Sequence, residues 1–227
     1  MTSTPIITAL VFDMDGLMLD TEPIYRASWQ RAAAELGWEI TDEGYEVFLG
    51  RRTEDAEADL VRIFGPTFPI DRFHVRWPAL WHEIAAAGLT VKPGVRTLLA
   101  LAAERGLPLG LATSTERRLA TRTLGYGGLS TDPFRVVVTG DEIAHGKPAP
   151  DIYSEAARRL GIAPERCAAF EDSDAGTLSA SRAGMTTFQV PDMKAPSPEA
   201  CAAAYRVLRS LEEVPPLLIP LITRRDP

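Results

Sequence analysis

The sequence predicts an α/β protein with a parallel sheet and a helical domain inserted after the first strand. From residue 93 to residue 190, short apolar runs alternate with segments of helical spacing, which is typical of repeated strand–helix–strand crossovers. The first apolar run, Thr8 to Phe12, lies far ahead of this alternation, and residues 21–90 between them show a helical pattern alone.

The predicted strands are apolar without an alternation of polar residues, as expected for strands that are covered on both faces of a sheet. Their bounds are Thr8–Phe12, Leu107–Ala112, Arg135–Thr139, Cys167–Phe170 and Thr186–Val190. Helices are predicted near Val95–Glu104, Glu116–Leu124, Asp151–Leu160 and Ala175–Ala183. The Pro- and Ala-rich residues 191–204 are predicted to form a surface connection.

The helical segment is predicted to be a small bundle. Apolar residues from Tyr25 to Leu36 recur at helical spacing, and Gly37 is a plausible stop. Thr53 can cap a second helix at its N-terminus, and a third helix spans Phe73 to Ile84. Pro78 is expected to kink or interrupt that third helix. The resulting domains are a core of residues 1–20 and 91–227 and a helical insertion of residues 21–90.

Composition limits the function classes. The formal net charge of -7 disfavours binding to nucleic acid or to anionic membranes, so an anionic substrate needs a local positive pocket. Two cysteines are too few for a disulfide framework, and no segment has the length of a signal peptide core or a membrane span. We therefore expect a cytoplasmic protein. The apolar tail, residues 215–222, is expected to pack on the core, although docking of a partner is an alternative.

The strongest functional signal is the segment from Asp13 to Thr21, where two aspartates two residues apart follow the first buried strand. Ligands of open α/β sheets bind outside the carboxyl ends of the strands, so Asp13 and Asp15 are presented to a crevice. Close carboxylates repel each other, which Mg²⁺ at Asp13 and a proton on Asp15 would relieve. The alternative is an ordinary turn built on Asp15 and Gly16.

Two further segments can hold phosphate. Thr113 and Ser114 follow a strand, where hydroxyl and backbone N–H groups bind phosphate oxygens, but they can equally cap a helix. Lys147 lies in a loop stiffened by Pro148 and Pro150, and a fixed ammonium can neutralise a phosphoryl group. A solvated surface lysine is the alternative.

A cluster of acids, Glu171 to Asp174, follows the fourth predicted strand. Glu171 and Asp172 can complete a magnesium site with Asp13 and the backbone carbonyl of Asp15. Ser173 or Asp174 can also cap the next helix, and the two interpretations are compatible.

These four segments, in this order, resemble the haloacid dehalogenase superfamily of phosphotransferases over nearly the whole chain. The resemblance implies a Rossmann-like, doubly wound core with Asp13 as nucleophile and Asp15 as general acid and base. It implies Thr113 and Lys147 as phosphate ligands, and Glu171 and Asp172 at the magnesium. The residues themselves add Ser114 as a candidate for phosphate, and Asp13 and the backbone carbonyl of Asp15 as candidates for Mg²⁺. The helical insertion then corresponds to the family's mobile cap.

Within that family the pattern is most similar to the β-phosphoglucomutase-like group, which contains sugar-phosphate mutases and small-molecule phosphatases. The mutases carry an arginine where this chain has Thr53, and a histidine where it has Tyr25. The departure favours a phosphatase for a small phosphorylated metabolite, with a mutase as the alternative because Arg51 or Arg52 can substitute. Substrate choice is assigned to the cap residues Glu22, Tyr25, Arg51, Arg52 and Thr53, and a monomer or weak homodimer is expected.

Two rival classes fit less well. A receiver-like signalling module also combines aspartate, threonine or serine, and lysine on a parallel sheet. In such a module, however, the phosphoacceptor follows a middle strand, and the module has no helical insertion. A catalytically silent binding protein of this fold would be expected to lack Asp13 or Asp15, and both are present.

Overall fold

The computed structural model describes residues 6–48 and 53–222 and divides the chain into two compact units. One unit runs to Leu19 and resumes at Thr90, and the other is Asp20–Leu89. The predicted boundaries were after residues 20 and 90. The first unit contains strands β1 Ala9–Phe12, β2 Leu109–Thr113, β3 Val136–Thr139, β4 Cys167–Glu171, β5 Thr186–Gln189 and β6 Arg206–Val207. Its helices are α5 Val95–Arg105, α6 Arg117–Tyr126, α7 Asp151–Leu160, α8 Asp174–Arg182, α9 Pro198–Ala203 and α10 Val214–Leu218.

The six strands form one parallel sheet in the order β3-β2-β1-β4-β5-β6, which confirms the predicted fold class. β1 lies between β2 and β4, with Val11 paired to both Gly110 and Ala169. All four β1 residues are buried, because helices cover both faces of the sheet. The order reverses direction at β1, so its carboxyl end lies at the point where such sheets bind ligands.

Helix α7 shows how the sequence pattern covers the sheet. Its buried side chains fall on one face at helical spacing and pack among β-strand residues in one core cluster. They are Ile152, Tyr153, Ala156, Ala157 and Leu160. The helix ends at Gly161, whose φ of +71° is the left-handed conformation that glycine adopts readily.

The second unit contains α1 Glu22–Glu35, α2 Asp42–Tyr45, α3 Thr53–Phe64 and α4 Ile70–Ala85. Trp29 is central to its core and meets Phe73 edge-on, with ring centroids 5.2 Å apart. Helix α4 continues through Pro78, so the predicted interruption does not occur, and the alternative, a kink at this residue, stays a prediction. Pro78 lies in the third turn, and the packing of α4 against α1 through this aromatic core compensates for the hydrogen bond that proline cannot donate.

The prediction that residues 191–204 form only a surface connection is wrong. Residues 198–203 form α9, capped by the Ser197 hydroxyl, and the chain then adds the short edge strand β6. Ala200 is fully buried. This helix was not predicted because an alanine-rich segment shows little contrast between apolar and polar positions at helical spacing. The apolar tail packs on the core as predicted, with Leu218, Leu221 and Ile222 buried.

Two further observations concern the chain as a whole. Cys167 and Cys201 are both free, the first buried and the second exposed. None of the helices in the described part of the chain has the length and apolar composition of a membrane span.

Ion pairs connect α7 to the loop that follows β3. Glu155 accepts hydrogen bonds from Arg158 Nε at 2.7 Å and from Arg159 Nε at 2.6 Å. Arg159 also donates to Glu142 Oε2 at 3.1 Å. The two guanidinium groups lower the pKa of Glu155 from its usual 4.5 to about 2.

Replacing Glu155 with Gln tests how much its ion pairs contribute to the free energy of unfolding. The folded-state pKa is depressed, so the stabilisation is present above the unfolded pKa and is lost as pH falls toward about 2. We expect Glu155→Gln to lower the free energy of unfolding by about 0.5 kcal/mol at pH 7. Urea titrations between pH 7 and pH 3 should show the difference shrinking, whereas a difference independent of pH would contradict an ionic origin.

Candidate active site

The candidate site lies where three neighbouring strands end. β1, β2 and β4 are adjacent and parallel, so Asp13, Thr113 and Glu171 come to the same edge of the sheet. Asp13 N–H donates to the Phe170 carbonyl oxygen at 3.0 Å, which continues the strand pairing up to the aspartate itself. The backbone of Asp13 is therefore fixed by the sheet rather than by a loop.

Lys147 is the centre of the site. It follows the short 3-10 helix Gly140–Glu142, and its side chain is only 9% exposed. Its ammonium contacts Asp13 Oδ1 and donates to Glu171 Oε1 at 2.6 Å and to the Ala112 carbonyl oxygen at 3.2 Å. Three acceptors match the three N–H bonds of the ammonium, so its direction is fixed. Burial opposes the charge, but Asp13 and Glu171 raise the pKa of Lys147 above its usual value and keep it protonated.

Glu171 is fully buried and is the second carboxylate in contact with Lys147. Its Oε1 also accepts from the Tyr153 hydroxyl at 2.7 Å. Its Oε2 accepts from Asp172 N–H at 3.1 Å, and from the N–H and hydroxyl of Ser173 at 3.3 and 3.1 Å. A Cβ on Gly176 would collide with this carboxylate, so only glycine fits the first turn of α8 at this position.

Asp13, Glu171 and Asp172 form a group in which one carboxylate oxygen of each lies within 4.8 Å of the others. Burial raises the pKa of Asp13 to about 8, with Lys147 opposing and Glu171 adding to the rise. Burial, followed by Glu171 and Asp13, also raises the pKa of Asp172 well above its usual value. One lysine thus leaves carboxylate charge uncompensated. The all-oxygen donor set and this excess charge fit a hard divalent cation.

The Asp15 side chain is hydrogen-bonded to Thr115. Its Oδ2 accepts from the Thr115 hydroxyl at 2.8 Å, so the side chain is turned toward the loop after β2. Gly16 follows with φ of +79°, and its N–H donates to the Leu19 carbonyl oxygen at 2.9 Å. The turn that was the alternative interpretation of this segment therefore exists, and it positions Asp15 beside the site. Its carboxylate lies outside the three-acid group, and a metal role would fall to its backbone carbonyl.

Thr113 is the last residue of β2 and is buried, with its Oγ1 accepting from Thr115 N–H at 3.1 Å. Ser114 is exposed. Neither residue caps α6, whose N-cap is Glu116 without a side-chain hydrogen bond. The capping alternative is wrong for this pair, and their phosphate-binding role stays a prediction. Ser173 does cap α8, by accepting from Gly176 N–H at 3.0 Å, as one interpretation of the acid cluster proposed.

The predicted specificity residues lie in the helical unit. Glu22 begins α1, and Tyr25 lies 5.9 and 5.5 Å, between ring centroids, from Trp77 and Trp81. Burial, followed by the Glu22 carboxylate, raises the pKa of Tyr45. Arg51 and Arg52 are outside the described residues, and Thr53 is the first residue of α3. The role of these five residues stays a prediction.

Sequence reasoning missed two residues of the site. Tyr153 follows the buried face of α7, so its pattern is that of a core aromatic and nothing local indicates that its hydroxyl meets Glu171. Thr115 lies in the run Thr113-Ser114-Thr115, where the excess of hydroxyl groups was a usable signal.

Comparison with known proteins places the chain among related sequences. A family model described as haloacid dehalogenase-like hydrolase matches residues 7–184. Protein CbbY of Rhodobacter capsulatus is 34% identical over 212 residues, which is 88% of this chain and 92% of that protein. The phosphorylated carbohydrates phosphatase of Thermotoga maritima is 33% identical over 177 residues, which is 78% of this chain and 82% of the relative.

A solved structure gives the same result for the fold. CbbY from Rhodobacter sphaeroides, in complex with phosphate, superposes with a TM-score of 0.78 at 30% identity. The match covers 92% of this chain and 97% of the other.

Removing the Tyr153 hydroxyl tests its support of Glu171. Tyr153→Phe keeps the ring, which lies 5.3 Å from Lys147 Nζ, but leaves the buried Oε1 with one donor fewer. We expect a loss of about 1–2 kcal/mol in the free energy of unfolding, measured by urea titration at pH 7. Tyr205→Phe, at a half-buried tyrosine, is the matched control and should cost less. Equal effects of the two variants would contradict a specific role.

Proposed function

Because the chain belongs to the haloacid dehalogenase-like hydrolase family, we propose that it hydrolyses a small sugar or polyol phosphate through a phosphorylated Asp13. The chain is a phosphoric monoester hydrolase. The substrate class and the covalent intermediate belong to the proposal. The observation that carries it is Lys147 held between the carboxylates of Asp13 and Glu171, with Asp15 two residues farther along the chain.

We assign Mg²⁺ to the group of Asp13, Glu171 and Asp172, with the backbone carbonyl of Asp15 as a further ligand. A bound Mg²⁺ would supply positive charge that offsets the excess of carboxylates and the charge of the phosphate. Glu171 already accepts several hydrogen bonds, so Asp13 and Asp172 are the less committed carboxylates of the group.

In the first step an oxygen of Asp13 attacks phosphorus and the bond from phosphorus to the ester oxygen breaks. Asp15, which enters this step protonated, gives its proton to the departing alkoxide. The Thr115 hydroxyl donates to Asp15 Oδ2 and so fixes the direction of the carboxyl group. Lys147 reduces the repulsion between the Asp13 carboxylate and the anionic phosphate, because its ammonium lies against the attacking group.

In the second step water attacks phosphorus and the bond to Asp13 breaks. Asp15, now a carboxylate, takes a proton from that water, so phosphate leaves and both aspartates return to their starting states. The hydroxyl of Thr113 and the N–H groups after it are assigned to the phosphate oxygens. The protein mainly supplies position and charge in both steps.

The sugar or polyol phosphate is supported by the names of relatives. The phosphatase of Thermotoga maritima is named for phosphorylated carbohydrates, and hexitol phosphatase B of Escherichia coli is 31% identical over 227 residues, which is 93% of this chain and 96% of that protein. The departures from the mutase pattern at Tyr25 and Thr53 favour water as the acceptor over a second sugar phosphate.

Phosphate release with Mg²⁺ from a panel of sugar and polyol phosphates tests the proposal. We expect Asp13→Asn to reduce release by about a thousandfold or more, because it removes the nucleophile. Asp15→Asn should reduce it by about a hundredfold or more, because it removes the general acid. Asp132→Asn, at an exposed aspartate on the surface, is the control and should leave the rate unchanged.

Two outcomes would contradict the proposal. Release that persists in Asp13→Asn would exclude a phosphorylated Asp13. Conversion of β-glucose 1-phosphate into the 6-phosphate in the presence of β-glucose 1,6-bisphosphate, without release of phosphate, would favour the mutase.

A further inference from the structure

An ion pair lies beside the three-acid group. Lys92 Nζ contacts Asp192 Oδ1, and the side chains are 22% and 13% exposed. Backbone hydrogen bonds connect the segments of both residues to the segments that carry the three-acid group. Lys92 N–H donates to the Met18 carbonyl oxygen at 2.9 Å, in the segment that follows Asp13 and Asp15. Val190 N–H, two residues before Asp192, donates to the Glu171 carbonyl oxygen at 2.7 Å.

Gly16 shows how close Asp192 is to Asp172. A Cβ built on Gly16 would collide with Asp172 Oδ2 and would lie 3.4 Å from Asp192 Oδ2. The two carboxylates therefore face the same small space. Asp192 contributes to the raised pKa of Asp172, after burial, Glu171 and Asp13 in that order and against Lys147. Lys92 contacts Asp192 Oδ1, while Asp192 Oδ2 and Asp172 Oδ2 both lie close to Gly16.

The charges of this pair have opposite effects on a cation near Asp172. Asp192 adds a negative charge beside the three acids, and Lys92 cancels much of it at short range. Neither residue belongs to the three-acid group itself. Because the pair is partly buried, its field is screened less than that of a surface pair.

We propose that Lys92 and Asp192 are positioning residues that set the affinity of the Asp13, Glu171 and Asp172 group for a divalent cation. This role rests on the metal site of the proposed function. Asp192 attracts the cation and keeps Asp172 directed toward the group, while Lys92 limits that attraction and holds Asp192 in place. The two residues thus have opposite effects on the affinity for the cation, and the affinity depends on both charges.

Binding of Mn²⁺ to the full chain, followed by the electron paramagnetic resonance signal of the free ion at pH 7.5, tests the role without turnover. We expect Asp192→Asn to weaken binding by about threefold to tenfold, because a negative charge near the cation is lost. Lys92→Met should tighten binding by a similar factor, since Asp192 is then uncompensated. The double variant should return to within about twofold of the native value.

The two single variants are expected to shift the Mn²⁺ affinity in opposite directions, which distinguishes an effect of charge from damage to the fold. A merely structural pair would weaken binding in both variants. Weakening in both, or no shift in either, would overturn the role of the pair. Glu155→Gln and Arg158→Met remove the same charges from an ion pair on α7 and should leave Mn²⁺ affinity unchanged. Thermal unfolding of each variant confirms that it is folded, and Lys92→Arg should keep the native affinity.

The same titration separates this inference from the proposed function. Asp172→Asn should abolish tight binding if the metal site is as assigned. A native chain that binds no Mn²⁺ would overturn both the metal site and the role of the pair. Native binding that Asp172→Asn abolishes, with unshifted Lys92 and Asp192 variants, would overturn the role of the pair alone.

Discussion

The ammonium of Lys147, enclosed by the carboxylates of Asp13 and Glu171, is the interaction on which the rest of the site depends. Two buried acids at the end of a parallel sheet repel each other, and neither has enough water around it to disperse its charge. A single buried cation between them lowers that cost. The Ala112 carbonyl oxygen is its third acceptor, and the Tyr153 hydroxyl donates to Glu171. Removing one partner of such a group leaves an uncompensated buried charge, which is strongly destabilising.

The charge that remains after Lys147 explains why the site suits a cation and an anionic substrate together. Asp172 lies next to Glu171, and burial, followed by the carboxylates of Glu171 and Asp13, raises its pKa against the opposing effect of Lys147, with Asp192 adding to the rise. A divalent cation would offset this negative charge, and a phosphate could then approach a carboxylate that otherwise repels it. The chain as a whole is acidic, so the attraction for phosphate has to be local.

The sequence predicted the parallel sheet, because β1, β2 and β4 are uninterrupted apolar runs, and it predicted α7 with the observed bounds, Asp151–Leu160. Asp13, Lys147 and Asp172 were identified as site residues because each follows a strand or lies in a proline-framed loop. The contact of Tyr153 with Glu171 was not predictable, since the two residues are 18 positions apart and Tyr153 follows the pattern of a core face. The run of hydroxyl residues around Thr115 was a signal for the site, but it did not indicate Asp15 as the partner, 100 residues away. The sequence did not decide between a kink and an interruption at Pro78, because the packing that lets α4 continue is tertiary and overrides the local preference.

Transfer of the phosphoryl group to the Asp13 carboxylate is the step that defines the proposed reaction. Turnover of a sugar phosphate with Mg²⁺, quenched in acid and reduced with borohydride, converts an aspartyl phosphate into homoserine, which peptide mass spectrometry can locate. We expect homoserine at residue 13 in the native chain, in an amount that increases when Asp15→Asn slows the second step more than the first. Phosphate release without any modified aspartate, or with homoserine at another position, would contradict transfer to Asp13.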